Sequence, residues 1–101
     1  MQQMTQAELT AASEAFIRQT LRKYLQADVP VYLFGSRARN TARWNSDYDL
    51  WIDADLPNAL IAGIQDELDE SFVPFKVDIV TTLKLRGKFG EIVKLEAKQW
   101  M

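Results

Sequence analysis

Helical and strand patterns alternate along this chain, and that alternation limits the folds open to it. Thr5 and Glu8 have the spacing of a helix capping box, and apolar residues then recur every three or four positions up to an expected helix end near Asp28. Three segments have strand patterns: 31–34, 48–54 and 75–81. The order is α-β-(α)-β-α-β-α, where the bracketed helix is a short one expected in the polar, arginine-rich stretch after the first strand. This order predicts an α/β (α+β) domain in which helices cover a small mixed β-sheet.

Two further helices are expected, one between the second and third strands and one at the C-terminus. Leu56 and Pro57 open the first of them. Its apolar stripe consists of Ile61, Ile64, Leu68 and Phe72. The stripe of the C-terminal helix consists of Phe89, Ile92, Val93, Ala97 and Trp100. No repeat, linker or change in composition divides the chain, so residues 1–101 are interpreted as a single domain.

Composition excludes several kinds of catalytic site. The 101 residues include no cysteine and no histidine, which removes disulfides, thiolate metal sites and the commonest general base and zinc ligand. Apolar residues make up 48% and charged residues 26%, which is the composition of an ordinary globular domain rather than a disordered chain. Any catalysis therefore has to use carboxylates, hydroxyls, lysines, arginines or a bound metal ion.

Hydropathy and charge indicate a cytoplasmic protein with no direct nucleic-acid partner. The longest apolar run, Val29–Phe34, is too short to cross a bilayer, and residues 1–4 lack the basic and apolar parts of a signal peptide. The formal net charge of −2 gives no general attraction to nucleic acid. The charge is nevertheless uneven, because residues 36–46 contain three arginines and no acid, whereas residues 47–55 contain four aspartates and no base.

Gly35 and Ser36 directly follow the first predicted strand. Glycine lets a backbone approach a phosphate closely. The hydroxyl of Ser36 and the amides of a following helix start can then donate hydrogen bonds to that anion. Taken alone, a Gly-Ser pair at the end of a strand is more often only a turn, so it gains meaning only together with other features.

Asp47 and Asp49 enter the second predicted strand two residues apart. Their carboxylates should therefore point the same way, roughly 6–7 Å apart along the strand. Two unpaired carboxylates at that spacing repel each other unless a cation lies between them, and Mg²⁺ both prefers oxygen ligands and bridges carboxylates to phosphates. The alternative is a solvated acidic strand face, which is the interpretation given to Asp53 and Asp55.

Asp78 lies within the run of β-branched and aromatic residues that forms the third predicted strand. A buried aspartate without a partner is costly. Strand geometry that places it beside Asp47 and Asp49 would make it the third carboxylate of one cluster. The alternative is an edge-strand aspartate paired with Lys76 or a neighbouring arginine, and for Asp78 taken alone that alternative is favoured.

Together these features resemble the DNA polymerase beta-type nucleotidyltransferase superfamily, and most closely the minimal nucleotidyltransferases of HEPN toxin–antitoxin pairs. The family pattern is Gly-Ser, two residues, Arg-Gly, a variable stretch and Ser-Asp-x-Asp-Leu. This chain has Gly35-Ser36-Arg37-Ala38-Arg39-Asn40, then Ser46-Asp47-Tyr48-Asp49-Leu50, with Asp78 at the position of the third acid. The resemblance covers essentially the whole chain and implies a polymerase beta-like fold. Asn40 replaces the family glycine, and asparagine is the least costly substitute where a left-handed backbone is needed.

The resemblance implies Mg²⁺-dependent transfer of a nucleotide from a nucleoside triphosphate, with ATP as the substrate. It assigns Asp47 and Asp49 to two Mg²⁺ ions. It gives Asp78 the completion of the second metal site and a part in deprotonating the acceptor hydroxyl, so that all three aspartates are catalytic and metal-binding residues.

The nucleotide-binding residues implied by the resemblance are Gly35, Ser36 and Arg39. The first two would cradle the β- and γ-phosphates, and Arg39 would neutralise charge on the developing pyrophosphate. Arg37 and Arg43 are interpreted equally well as part of this site and as solvated helix residues. The sequence does not decide between these two interpretations.

No residues remain for the second, helical domain with which larger nucleotidyltransferases bind their acceptor. The resemblance implies that another chain supplies this surface: a helical HEPN toxin, neutralised by transfer of AMP to a tyrosine. A homodimer and a hetero-oligomer are both compatible with this interpretation. The aromatic C-terminus, Trp100-Met101, and the last helix are candidate docking surfaces, although a terminal tryptophan is as often packed against the core.

Three other functions compete with that of an active antitoxin enzyme. An idle nucleotidyltransferase fold would neutralise the toxin by binding alone, but the presence of Asp47, Asp49 and Asp78 favours activity. A haloacid dehalogenase-type phosphatase also uses Asp-x-Asp, yet it needs an apolar strand directly before the first aspartate, where this chain has Trp44-Asn45-Ser46. Transfer to a small molecule such as an aminoglycoside lacks an acceptor domain.

Overall fold

The structure, a computed structural model, describes residues 3–101. Its elements in chain order are α1 (Gln6–Tyr24), β1 (Val31–Phe34), β2 (Tyr48–Ile52), α2 (Asn58–Asp69), β3 (Val77–Thr81), α3 (Gly87–Glu96) and β4 (Lys98–Gln99). Short 3-10 helices follow β1 at Gly35–Arg37 and β3 at Thr82–Lys84. Met1 and Gln2, which belong to the stretch interpreted as lacking a signal peptide, lie outside the described residues.

The four strands form one mixed sheet in the order β3-β2-β1-β4. β1 pairs antiparallel with both β2 and β4, and β2 pairs parallel with β3. A parallel pair needs a long crossover connection, which α2 provides between β2 and β3. The predicted α/β (α+β) class, a mixed sheet covered by helices, is confirmed.

One face of the sheet packs against α1 and α2 and forms the core. β2 follows the predicted alternation, since Tyr48, Leu50 and Ile52 are fully buried while the residues between them are only partly so. The helices contribute Ile17, Leu21, Ile64 and Leu68 to the same cluster. Each such buried side chain contributes about 1.5–3 kcal/mol. The opposite face of β2 carries Asp49 and Trp51.

α1 begins at a local sequence signal and ends earlier than predicted. The Glu8 amide donates to Thr5 Oγ1 at 3.1 Å and the Thr5 amide donates to Glu8 Oε1 at 3.2 Å, which confirms the capping box. The helix ends at Tyr24 rather than near Asp28, because Leu25 adopts an extended backbone with φ −106° and ψ 148°. No helix among residues 3–101 is long and apolar enough to span a membrane.

The predicted bounds of α2, β2 and β3 are also too wide. α2 ends at Asp69, so Phe72 lies beyond it, exposed, with its ring edge-on to that of Phe16 at a centroid distance of 5.4 Å. β2 ends at Ile52, because the Ala54 amide turns back to donate to the Ile52 carbonyl at 2.9 Å. β3 begins at Val77 rather than at residue 75.

The prediction was wrong for the last residues of the chain. The final helix ends at Glu96, and Lys98–Gln99 forms a fourth strand that pairs with β1. The Val31 amide donates to the Met101 carbonyl at 2.9 Å, and the Trp100 amide donates to the Val31 carbonyl at 2.8 Å. A two-residue strand of Lys and Gln has no apolar pattern, so only these long-range backbone bonds define it.

α3 buries a different face from the predicted stripe. Val93 is buried, but Phe89 and Ile92 are 49% and 51% exposed. The contact face contains Gly90, where a Cβ would lie 2.7 Å from the Leu85 carbonyl carbon. The helix therefore packs most closely on its glycine side, because only there can the backbone approach the preceding loop.

Trp100 is packed rather than exposed for docking. Its ring lies 6.0 Å from the ring of Tyr48, centroid to centroid, and the Arg18 guanidinium carbon lies 4.1 Å from its centroid. The C-terminus is also tied to β1 by backbone hydrogen bonds. Of the two interpretations given to Trp100-Met101, the structure supports packing against the core.

Candidate active site

Three strands bring the predicted site residues to one edge of the sheet. β1 and β2 are antiparallel, so Phe34 at the end of β1 pairs with Asp49 near the start of β2. β2 and β3 are parallel, and Asp78 is the register partner of Asp49. The turn that begins at Gly35 therefore lies on one side of Asp49, and Asp78 lies on the other.

Asp49 and Asp78 share the face of the sheet that points away from the core. Side chains alternate along β2, and because Tyr48 and Leu50 are buried, Asp49 lies on the opposite face. Register partners on neighbouring strands project to the same side, so Asp78 lies beside Asp49. Asp47 precedes β2 by one residue and is exposed.

The pKa of Asp49 reflects its burial and the two carboxylates near it. Burial raises the pKa of the Asp49 carboxyl above its usual range, and the charges of Asp78 and Asp47 raise it further. Arg39 and Lys76 lower the same pKa without cancelling the rise. Burial and the neighbouring carboxylates thus both disfavour the ionised form of Asp49, and a cation beside it would stabilise that charge.

The aspartates fit a magnesium ion in donor type but do not form a closed cage. Among residues 3–101, no three acidic side chains lie close enough together to hold one metal ion, so the expected three-carboxylate cluster is not assembled. Like charges repel, and Asp78 Oδ1 lies 3.6 Å from Lys76 Nζ, the ion pair considered as the alternative. Mg²⁺ is commonly held by one or two carboxylates together with substrate phosphates, a mode that Asp49 and its neighbours suit.

Gly35 is required by its backbone conformation and by its neighbour. Its φ is +75°, a region that residues with a side chain rarely adopt. A Cβ at this position would collide with Asp49 Oδ2. The Ala38 and Arg39 amides both donate to the Gly35 carbonyl at 3.1 Å, which closes the 3-10 turn. The backbone at Gly35 thus lies directly against the Asp49 carboxylate.

The segment after Gly35 is held by its own backbone. The Ser36 carbonyl accepts hydrogen bonds from the Thr41 amide at 3.0 Å and from Thr41 Oγ1 at 3.3 Å. Between these residues Asn40 has a φ of 59°. The residue that replaces the family glycine thus adopts the left-handed conformation that asparagine tolerates best among non-glycine residues.

Glu96, the last residue of α3, contacts two of the predicted nucleotide-binding residues. Its Oε1 lies 2.7 Å from Arg39 Nη1, and its Oε2 accepts a hydrogen bond from the Gly35 amide at 3.2 Å. Sequence reasoning missed Glu96, because it lies 61 residues from Gly35 and no motif surrounds it.

Arg37 holds the loop that leads into β2. Its Nε and Nη2 donate to the Ser46 carbonyl at 3.1 and 2.8 Å, and Nη2 also donates to the Trp44 carbonyl at 2.9 Å. The guanidinium carbon lies 3.9 Å from the ring centroid of Tyr48 and 4.9 Å from that of Phe75. The interpretation of Arg37 as a solvated helix residue is therefore wrong.

Arg37→Ala is expected to lower the free energy of unfolding by about 2 kcal/mol, because it removes three hydrogen bonds from a charged donor and a cation–π contact. Arg43→Ala, at an exposed position of the same loop, should change it by less than about 0.5 kcal/mol. Urea denaturation of both variants measures the difference. If both substitutions lower the free energy of unfolding equally, the contacts of the Arg37 guanidinium do not stabilise the loop.

The site is an open edge rather than an enclosed pocket. A surface pocket of about 590 Å³ lies at the other end of β2 and β3, where Asp55, Leu56 and Thr81 contribute to its lining. None of the six predicted site residues lines it. Asp47 and Arg39 are exposed, and the side chain of Asp78 is 44% exposed, so this edge can be reached from solvent.

The fold and the site define a nucleotidyltransferase. The nucleotidyltransferase domain family matches residues 15–101 of the chain. A probable protein adenylyltransferase MntA of Haemophilus influenzae is 32% identical over 91 residues, covering 87% of this chain and 80% of that protein. The chain therefore belongs to the nucleotidyltransferase domain family, and the enzyme class predicted from the motif is confirmed.

Three solved structures that are similar to this chain come from toxin–antitoxin complexes. A toxin–antitoxin crystal structure with AMP-PNP is 28% identical at a TM-score of 0.68, covering 86% of this chain and 72% of that one. A mutant MntA–HpeT toxin–antitoxin is 25% identical at a TM-score of 0.65, covering 86% and 71%. The antitoxin fold also matches a complex with tri-AMPylated Shewanella oneidensis HEPN toxin, at 24% identity and a TM-score of 0.63, covering 90% and 71%. The resemblance to minimal nucleotidyltransferases is confirmed.

Proposed function

We propose that this chain is a Mg²⁺-dependent adenylyltransferase that transfers AMP from ATP to a tyrosine hydroxyl of a helical HEPN toxin, and so acts as its antitoxin. The observation that carries the proposal is the register pair Asp49 and Asp78 beside the Gly35 turn, at an open edge of the sheet. Two relatives support it, since one is named as a protein adenylyltransferase and one is a toxin–antitoxin with AMP-PNP.

Asp47, Asp49 and Asp78 are the proposed catalytic and metal-binding residues. Two Mg²⁺ ions, each held by one or two of these carboxylates together with the phosphates, would supply positive charge that steadies the attacking and leaving oxygens of an in-line displacement. Asp49 lies between the other two aspartates and adds its negative charge to theirs. A carboxylate oxygen of Asp78 takes the proton of the acceptor hydroxyl. The acceptor oxygen then bonds to the α-phosphorus, and the bond from that phosphorus to pyrophosphate breaks.

Gly35, Ser36 and Arg39 are the proposed nucleotide-binding residues. The Gly35 amide and the Ser36 hydroxyl donate hydrogen bonds to the β- and γ-phosphates. The guanidinium of Arg39 neutralises charge that develops on the leaving pyrophosphate. Its side chain is half exposed and lies at the same end of β1 as the Gly35 turn. It is therefore at the solvent-facing side of the proposed site.

The acceptor in this proposal is a second protein that docks at the open edge. Among the six proposed residues, Asp47 and Arg39 are exposed and the side chain of Asp78 is 44% exposed, so the surface of a second protein can reach them. The proposal includes a single domain over residues 1–101, a hetero-oligomer with the toxin, no nucleic-acid or membrane partner, and a cytoplasmic location where ATP is available.

Mass spectrometry of a candidate HEPN partner tests this function. The partner is co-expressed with this chain, purified as a complex and compared with partner expressed alone. We expect a mass gain of one or more AMP units on the partner, located on a tyrosine by fragmentation. In a reconstituted reaction the gain should require ATP and disappear when a chelator removes Mg²⁺.

An idle binding protein gives a different result in the same experiment. The partner would then co-purify with this chain, lose its toxicity and keep its unmodified mass in the presence of Mg²⁺ and ATP. That combination would refute the enzyme and leave binding alone as the means of neutralisation.

A further inference from the structure

Glu96 places a carboxylate against two groups that the proposed function assigns to phosphates. One is the Gly35 amide, which donates to Oε2 at 3.2 Å, and the other is Arg39, whose Nη1 lies 2.7 Å from Oε1. A backbone amide in a glycine turn and a guanidinium are typical ligands of a phosphate oxygen. Glu96 therefore satisfies them with an anion that belongs to the chain itself.

The fold fixes where this carboxylate lies. Glu96 is the last residue of α3, and the Ala97 amide after it donates to the Val93 carbonyl at 2.9 Å. β4 then begins at Lys98 and pairs with β1, the strand that leads into Gly35. Because the backbone is held on both sides of Glu96, its side chain is directed at the turn by the architecture of the sheet.

The contact is weak enough to be replaced. The side chains of Arg39 and Glu96 are 51% and 21% exposed, and ion pairs open to solvent to this degree contribute little to stability. A triphosphate carries several negative charges, whereas Glu96 carries one. A nucleotide with β- and γ-phosphates can therefore compete for the same donors.

We propose that Glu96 occupies the phosphate-binding donors of the nucleotide-free chain, so that the β- and γ-phosphates must displace it and its charge sets the affinity for ATP. The inference rests on the proposed function, because it requires that Gly35 and Arg39 bind those phosphates. Removal of the Glu96 charge should then tighten nucleotide binding. If Glu96 instead positioned Arg39 for the nucleotide, its removal would weaken binding, so the two roles differ in sign.

Calorimetric titration of the full chain with AMP-PNP in the presence of Mg²⁺ measures this sign. We expect Glu96→Gln to lower the Kd by about 5- to 10-fold, the combined effect of a lost ion pair and a weakened hydrogen bond. Glu91→Gln removes the same charge from an exposed position on α3 and should leave the Kd unchanged. AMP, which lacks the β- and γ-phosphates, should show no gain with either variant.

The remaining outcomes separate this inference from the proposed function. If the Kd for AMP-PNP is higher in Glu96→Gln than in the wild type, or changes only as much as in Glu91→Gln, the phosphates do not displace Glu96. Nucleotide binding by the chain would still stand. A wild-type chain that binds no AMP-PNP overturns the proposed function and the inference with it. Should Glu96→Gln fail to fold, Glu96→Ala removes the charge and both acceptor oxygens, and it should likewise bind AMP-PNP more tightly than wild type.

Discussion

Asp49→Asn is expected to lower the rate of AMP transfer by roughly 10²–10³, equivalent to about 3–4 kcal/mol of transition-state stabilisation. Asparagine is nearly isosteric with aspartate, but it removes the negative charge at the position flanked by Asp47 and Asp78. The effect should appear in the rate of the chemical step, measured as incorporation of labelled AMP into the purified toxin under single-turnover conditions.

Asp55→Asn is the matched control for this substitution. It removes the same charge from an exposed position beyond the other end of β2, and it should transfer AMP at the wild-type rate. Both variants should still bind the toxin, but only Asp49→Asn should fail to protect cells from it. If Asp49→Asn protects cells as well as wild type at equal expression, modification is not the mechanism, and neutralisation by binding alone is the correct function.

The stability of Asp49→Asn provides an independent check that the variant folds. Burial, and then the charges of Asp78 and Asp47, raise the pKa of the Asp49 carboxyl in the folded chain above 3.8, its ordinary value. Because the pKa is higher in the folded chain, the protonated carboxyl adds to the free energy of unfolding. This contribution is complete at a pH below the ordinary pKa and is lost as the pH rises through the folded-state pKa. In chelator at neutral pH, Asp49→Asn should therefore melt above wild type, and this difference should vanish as the pH falls below the ordinary value.

Local patterns in the sequence account for much of the fold. The capping box at Thr5 and Glu8 and the alternation of β2 depend on residues close together in the chain, and both are present. The alternation also predicts which face Asp49 occupies, because it follows directly from the burial of Tyr48 and Leu50. The motif from Gly35 to Asp49 thus predicts the position of the candidate site before any contact between strands is known.

The features that the sequence does not predict depend on contacts between distant residues. β4 exists because β1 offers an unpaired edge, and its two residues have no pattern of their own. Glu96 reaches Gly35 only because β4 returns the chain beside β1. The ion pair of Asp78 with Lys76 is local, but the sequence could not decide between it and the aspartate cluster, because the pairing of β2 with β3 is what places Asp78 beside Asp49.

Gly35→Ala is the second substitution with a large expected effect. An alanine at a φ of +75° costs about 1–2 kcal/mol of backbone strain. Its Cβ would also collide with Asp49 Oδ2, so either the turn or the carboxylate has to move. Displacements of about 1 Å in a catalytic site can lower a rate by roughly 10², and we expect a loss of that order in AMP transfer together with a lower melting temperature.

Gly87→Ala separates the strain from the collision. Gly87 also has a positive φ, +59°, but a Cβ there would meet nothing within 4 Å. This control should lose about 1–2 kcal/mol of stability through strain and transfer AMP normally. Asp49→Ala removes the colliding carboxylate, so Gly35→Ala should cost less stability in that background than in the wild type, a coupling that a double-mutant cycle measures. The contact between Gly35 and the Asp49 carboxylate is what joins the predicted phosphate turn to the acidic edge. If Gly35→Ala lowers the stability equally in both backgrounds, that contact is absent and the two residues do not share a site.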